Sequence, residues 1–404
     1  MKQADRADAV QTSSRNEAQV AGTHNRFSRF EWAGAFGDLG TLIPFVVGYV
    51  SVVGMDPCGV LLAFGIGMIA AGAYYRTPFP VQPMKAIGAV ATAQASSAVI
   101  TAQAVGAAGI LTGVFWLLLG ATGFAKRLGA WIGRSVVAGI VLGLGLALML
   151  AALRMMSDGW LLAAIALAGT LLLLTRPTVP AMLLLLVFGV GVALFQDPTL
   201  ARDLRAVEPH WRLPGFTLAG LSWNDLAVGA LLLAIPQLPL TLGNAVIAIT
   251  SENNRLFPDR PVTEHKLMLS TGILNLGGAL FGGVPMCHGA GGMAGHVRFG
   301  ARTGGAPIIL GSILLILALF FSDSIQTLFR MFPTPILGVI LFLAGAQLAW
   351  GPATSLKKTH GAARLVMGAT AAVALWNVGV AFLVGLALDY LTRHWPGRPG
   401  EAAR

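Results

Sequence analysis

Lys85 follows "QPM" inside an apolar stretch, and Cys287 and His288 follow "VPM" in the second half of the chain. The two stretches, "VQPMKAIGAVA" (Val81 to Ala91) and "GVPMCHGAGGMA" (Gly283 to Ala294), set a proline and small residues beside groups able to bind an anion or carry a proton. Proline suits the first turn of a helix, where its missing N–H has no partner to lose, and it drives the residue before it into extended backbone. Each stretch therefore reads as extended chain that turns into a half-helix at mid-membrane. Its start presents unpaired N–H groups and about half a positive charge, a setting for an oxyanion or a carboxylate. The candidate donors are the backbones of Met84, Lys85 and Ala86 on one side and of Cys287, His288, Gly289 and Ala290 on the other. Gly289, Gly291 and Gly292 either let backbone approach a ligand or serve close helix packing.

The side chains narrow the chemistry. An intramembrane lysine is costly and marks function by default, so Lys85 is expected to bind an anion or to balance a carboxylate such as Asp38. The alternative is a lysine whose stem lies along apolar surface with its head at the boundary. Asp38, in "FGDLGT", reads as a proton carrier, a counter-ion to Lys85 or a helix-end cap. Gln82, Gln237, Thr41, Thr241 and Asn244 are uncharged hydrogen-bonding groups suited to a desolvated oxyanion. Gln237 sits between two prolines in "IPQLPLTLGN", where unwound backbone would expose it to a cavity, or it hydrogen-bonds between helices. Asp38, Glu31 and His288 are the titratable groups nearest this cradle and the candidate proton carriers. Cys287, His288 and His296 do not match a closed zinc pattern, so no metal is expected. Arg298 and Arg302 are expected to anchor the inward end of the segment.

These groups need elements to position them, and the composition says where those elements lie. Of 404 residues, 55% are hydrophobic and only 11% charged, against about 25% charged in soluble domains. With roughly 20 apolar residues per crossing, the chain holds about 11 to 14 spans, some short or broken. The net charge of +10 sits in short loops between apolar runs, as the positive-inside rule produces, so nucleic-acid binding is excluded. Two cysteines, Cys58 and Cys287, imply no disulfide framework. Nothing resembles a nucleophile elbow, a P-loop or a dinucleotide fingerprint, so neither an enzyme nor a cofactor is expected.

The organisation reads as a disordered cytoplasmic tail (1–30, carrying Lys2, Arg6 and Arg15, with no apolar signal region), a first transmembrane repeat (31–195), an external linker (196–222), a second repeat (223–392) and a short cytoplasmic tail (393–404). Lys126, Arg127, Arg176, Lys357, Lys358, Arg364 and Arg393 fall inside. About seven segments per half bring opposite ends of corresponding segments inward, an inverted repeat. "FGDLGTL" and "PQLPLTL" align at an offset of 200, pairing Thr41 with Thr241; Pro83-Met84 aligns with Pro285-Met286 at 202.

Four blocks, "GDLGTLIPFVVG", "PFPVQPMKAIGAVA", "PQLPLTLGNAVIAI" and "PMCHGAGGMAGHVRFGARTGG", resemble the molybdate transporter family, which is related to the SulP sulfate permeases. The resemblance implies an all-α polytopic fold of two inverted repeats of about seven segments (7+7), split into core and gate domains, as in SulP and uracil/xanthine permeases. It implies that the third and tenth segments are half-helices flanking the substrate. It further implies a secondary transporter importing molybdate, with tungstate or sulfate as alternative anions, a coupling proton, and a multi-pass place in the plasma or inner membrane with both termini cytoplasmic. A passive anion channel is the alternative of a different class. The lipid bilayer and, as a candidate, a second copy in a homodimer complete the partners. SulP members usually carry a C-terminal STAS domain, whereas this chain ends at "RHWPGRPGEAAR"; the expectation therefore favours molybdate over general sulfate transport.

Overall fold

Asp56 accepts a hydrogen bond from the Cys58 amide (3.2 Å) with Pro57 at the first helical position, which starts the second transmembrane helix cleanly. The same logic punctuates the rest of the chain. The computed structural model describes residues 24–94, 100–123, 133–175, 181–216, 220–359 and 361–394. The polar tail before residue 24, the basic positions Lys126, Arg127 and Arg176, and the end beyond residue 394 lie outside the described residues.

Among the described residues the first half carries α1 (Arg29–Val52), α2 (Pro57–Tyr75), α3 (Lys85–Gln94), α4 (Ala102–Thr122), α5 (Arg134–Met156), α6 (Trp160–Leu174) and α7 (Ala181–Gln196). The second half carries α8 (Trp223–Leu256), α9 (Glu264–Leu280), α10 (Ala290–Arg298), α11 (Gly305–Phe321), α12 (Thr334–Lys358), α13 (Gly361–Ala374) and α14 (Val378–His394). The fold is all-α and polytopic, with two inverted repeats of seven segments. α1–α4 pack with α8–α11 as a core, and α5–α7 pack with α12–α14 as a gate. The described part of α3 has 10 residues and α10 has 9, against the roughly 20 that a crossing takes.

The inverted repeat is visible in the packing. A Cβ built at Gly145 in α5 would lie 2.8 Å from the Gly345 carbonyl oxygen in α12, and one built at Gly345 would lie 2.8 Å from that of Gly145. The two glycines stand at the same offset of 200 as Thr41 and Thr241, and they let the helices touch backbone to backbone. Gly145→Val is expected to overpack this contact at a cost of about 1–3 kcal/mol, read as a lower melting temperature of the protein purified in detergent.

The linker is anchored rather than loose. It holds a short helix, Pro198–Arg205, and a strap whose His210 and Arg212 amides donate to Phe320 and Leu319 carbonyls at the end of α11 (2.8 and 2.9 Å). The Arg212 guanidinium bridges Asp56 and Asp323 at 2.8 Å each. A capping box of Ser222 and Asp225 starts α8, and Thr101, the N-cap of α4, donates to Asp225 (2.7 Å), fastening the two helix starts together.

Three expectations need correction. Around Gln237 the backbone does not unwind: Ile235–Leu240 stays helical between wide π-turns at Gly229–Ala234 and Thr241–Ala248. Pro236 and Pro239 lack N–H donors, and the wider turns absorb the missing bonds without opening the helix. The charged stretch "SENNRLFPDRPVTEHK", which by its polarity reads as a loop following a span that ends near Thr250, is helical from Ser251 to Leu256, where α8 ends. The second half-helix starts at Ala290, because Met286 and Cys287 pair as a strand and Gly289 is extended at the N-cap (φ −132°).

Candidate functional site

The two proline-methionine dipeptides meet. Strand β1 (Gln82–Pro83) pairs antiparallel with β2 (Met286–Cys287), with Gln82 opposite Cys287 and Pro83 opposite Met286. The Met84 amide donates to the Pro285 carbonyl at 2.9 Å, so each dipeptide faces its repeat partner. Asn275 of α9 completes the outer edge of β2: its Oδ1 accepts from the Met286 amide (2.8 Å) and its Nδ2 donates to the Met286 carbonyl (2.6 Å). One side-chain amide thus stands in for a neighbouring strand.

His288 braces the crossing from the other side. Its Nδ1 is 2.8 Å from the Pro80 carbonyl, which can only accept, so Nδ1 carries the proton and Nε2 accepts from Ser270 Oγ (2.8 Å). Tyr75 donates to Ser270 (2.7 Å), and the imidazole packs edge-on against Phe79. Both ring nitrogens are therefore engaged by protein groups.

Beside the ribbon lies a buried polar array. Lys85 Nζ donates to Gln82 Oε1 (3.3 Å), and Gln82 Nε2 donates to Thr41 Oγ1 (2.8 Å) and to Asp38 Oδ1. Thr41 donates to the same Asp38 oxygen at 2.7 Å. One amide therefore separates the cation of α3 from the carboxyl of α1, with Lys85 9% exposed and Asp38 2%. Among the described residues Asp38 Oδ2 is buried with no partner, a costly state for a polar atom. In the second repeat Gln237 donates to Thr241 (2.9 Å), while its Oε1 accepts from the Ala86 and Ile87 amides at the start of α3 (2.8 and 3.4 Å).

Two of the expected backbone donors are thus occupied, Met84 by the ribbon and Ala86 by Gln237. Among the described residues no side-chain hydrogen bond engages Asn244, whose Nδ2 lies 3.5 Å from a Cβ built at Gly289, the residue before Ala290. Glu31 lies apart from the array. Its carboxylate accepts from the Arg302 and Thr303 amides (2.9 Å each) and from the Ala306 amide (3.1 Å), capping the start of α11.

A Cβ at Gly289 would fall 1.9 Å from Gln82 Oε1. Gly289→Ala is therefore expected to leave the fold intact, because a flexible side chain can move aside, yet to break the Lys85–Gln82–Asp38 array. Affinity for an oxyanion in a binding assay should fall about tenfold, the loss of one charge-assisted hydrogen bond.

Between core and gate lies a cavity of about 310 Å³, lined by Asp38, Thr41, Gly291 and Arg298 on one side and by Leu174 and Gln347 on the other. Counting about 30 Å³ per water, it has room for a four-oxygen anion with part of its hydration shell. Sequence reading missed Asn275, Ser270, Tyr49 and Gln347. Asn275 and Gln347 carry a detectable signal, a polar amide within an apolar helix. Tyr49, whose buried hydroxyl has no partner, shows none.

Fold and site together define a transporter architecture of the SulP/SLC26 kind. The transmembrane domain of a cyanobacterial bicarbonate transporter, BicA, superposes with a TM-score of 0.64 at 17% identity, covering 90% of this chain and 98% of that one. The murine anion transporter Slc26a9 in its inward-facing state gives 0.66 at 11% identity, covering 92% and 69%. By sequence the chain belongs to the molybdate transporter family: the family model described as "Molybdate transporter of MFS superfamily" matches residues 30–148 and 229–348. Molybdate transporter 2 of Arabidopsis thaliana is 34% identical over 368 residues (79% of this chain, 78% of the relative). Molybdate transporter 1 of Chlamydomonas reinhardtii is 30% identical over 475 residues (88% and 90%). The halves of major facilitators are parallel repeats, whereas those of this chain are inverted; the fold is that of the SulP/SLC26 proteins.

Proposed function

We propose that the chain is a secondary transporter that imports molybdate, holding the dianion beside the crossed half-helix starts and alternating access by movement of the core against the gate. The observation that carries this is the hydrogen-bonded link from Lys85, at the start of α3, through Gln82 to Asp38, which with Thr41 and with Gly291 near the start of α10 lines the cavity. Lys85 supplies full positive charge and the two helix starts add partial charge. Gln82, Gln237, Thr41, Thr241 and Asn244 supply neutral hydrogen-bonding groups around a tetrahedral oxyanion. The anion competes with Gln237 Oε1 for the Ala86 amide. Cys287 and His288 hold the ribbon in place, and Asp38 carries the coupling proton on Oδ2. The names of the relatives support molybdate as the anion. The distribution of basic loops supports a cytoplasmic N-terminal face in the plasma or inner membrane.

Reconstitution tests this reading. Proteoliposomes should accumulate radiolabelled molybdate saturably, and faster with an inward proton gradient. No molybdate flux where sulfate is carried well would overturn the substrate assignment. Flux that never saturates would replace the carrier with a channel.

A further inference from the structure

"GHVRFGAR" places Arg298 and Arg302 close together, yet the structure gives them different work. Arg302 is spent locally: its guanidinium donates to the Val297 and Ala301 carbonyls (3.0 and 2.9 Å), tying the turn after α10 back to that helix. Arg298 reaches out of the core. From the last turn of α10 its Nη2 donates to the Leu174 carbonyl, in the last residue of gate helix α6.

Terminal helix carbonyls lack intrahelical partners and carry partial negative charge, so a guanidinium satisfies one well. Both residues line the core–gate cavity, on opposite walls. Arg298 is exposed at the lining of the cavity, and among the described residues no other acceptor engages it, so most of its five N–H donors are left for a ligand. A planar fork of donors matches the edge of a four-oxygen dianion in two parallel hydrogen bonds, better than it matches one carbonyl.

We propose that Arg298 is a second anion subsite, at the mouth of the cavity on the face that carries the N-terminal segment, and that it doubles as a latch between core and gate. With the mouth empty, the guanidinium holds the end of α6. A passing oxyanion takes the guanidinium from the Leu174 carbonyl, frees α6 and moves on to the inner array. The gate wall opposite α10 adds Gln347, whose Nε2 lies 3.4 Å from a Cβ built at Gly291. The subsite thus sits on the path and not at its end. This inference rests on the oxyanion-carrier reading, and the tests below separate the two.

The experiment uses the full chain. In proteoliposomes, Arg298→Gln should slow molybdate–molybdate exchange about tenfold at subsaturating anion, while equilibrium binding to the purified protein stays within about threefold of wild type. Exchange by wild type should slow as salt rises, because steering by a mouth charge is screened, and the variant should lose that dependence. Arg298→Cys should recover exchange after modification by a cationic thiol reagent but not by a neutral one, with wild type treated alike as control. Independently of any substrate, hydrogen exchange in the last turn of α6 should rise several-fold in Arg298→Gln. Wild-type exchange rates in the variant, equilibrium binding lost together with flux, or an unchanged α6 terminus would each overturn the proposal. Absence of molybdate binding and flux in wild type would overturn the functional reading instead, leaving the latch to be decided by hydrogen exchange.

Discussion

Asp38→Asn is expected to reduce proton-driven molybdate accumulation to background while leaving the anion bound. The carboxyl is buried at the cavity wall, with Oδ1 accepting from Thr41 and Gln82 and Oδ2 without a partner. An amide keeps the shape of the protonated acid and removes its charge, so it fixes the site in one protonation state. Proton symport requires both states in each cycle, and the variant has one. Wild-type uptake should rise as the outside is acidified, and the variant should show a flat pH profile with no uphill transport. Its affinity should match or exceed that of wild type, since a negative charge near a bound dianion is gone. Uphill uptake that survives in Asp38→Asn would end its role as proton carrier. Loss of binding would assign Asp38 to balancing Lys85 instead.

Lys85→Ala is expected to weaken molybdate binding about 10- to 100-fold, the range of one charged hydrogen bond at about 1.5–3 kcal/mol. Lys85 sits in the first turn of α3, almost fully buried, with Gln82 as its hydrogen-bond partner. Its removal also takes away the amine linked to Asp38 through Gln82. Membrane insertion and the half-helix should persist, because the ribbon that positions α3 depends on Pro83, Met84, Met286 and Asn275 and not on the lysine. Equilibrium binding on the purified variant, with its elution profile checked, measures this. Wild-type affinity in Lys85→Ala would remove the cation from the site.

Much of this was legible in the residues. Pro57, Pro83 and Pro285 mark helix starts or extended lead-ins because proline restricts itself and its predecessor, and α2 begins at the proline that marks it. The match of Pro83-Met84 with Pro285-Met286 became a physical pairing, since residues related by an inverted repeat meet at its axis. Other features depend on distances the sequence does not encode. That Asn275 pairs with both groups of Met286, or that Gln237 sits on the Ala86 amide, follows only once α9 and α8 are packed. His288 looked free to face a ligand, but its partners Ser270 and Pro80 come from separate segments. Glu31 was grouped with the cradle by its place before α1's apolar run, and the partner that claims it, the start of α11, is far away along the chain. The prolines around Gln237 suggested unwinding because they remove donors; π-turns, a rarer response, carry no simple sequence mark.

The most direct measurement is equilibrium binding of radiolabelled molybdate to the purified wild-type chain, in competition with tungstate, sulfate and nitrate. The expected result is one tight saturable site per chain, the inner array, emptied by tungstate nearly as well as by molybdate, less readily by sulfate and not by planar monovalent nitrate. No saturable binding, or displacement by nitrate as effective as by molybdate, would contradict a tetrahedral-dianion site beside the crossed half-helices.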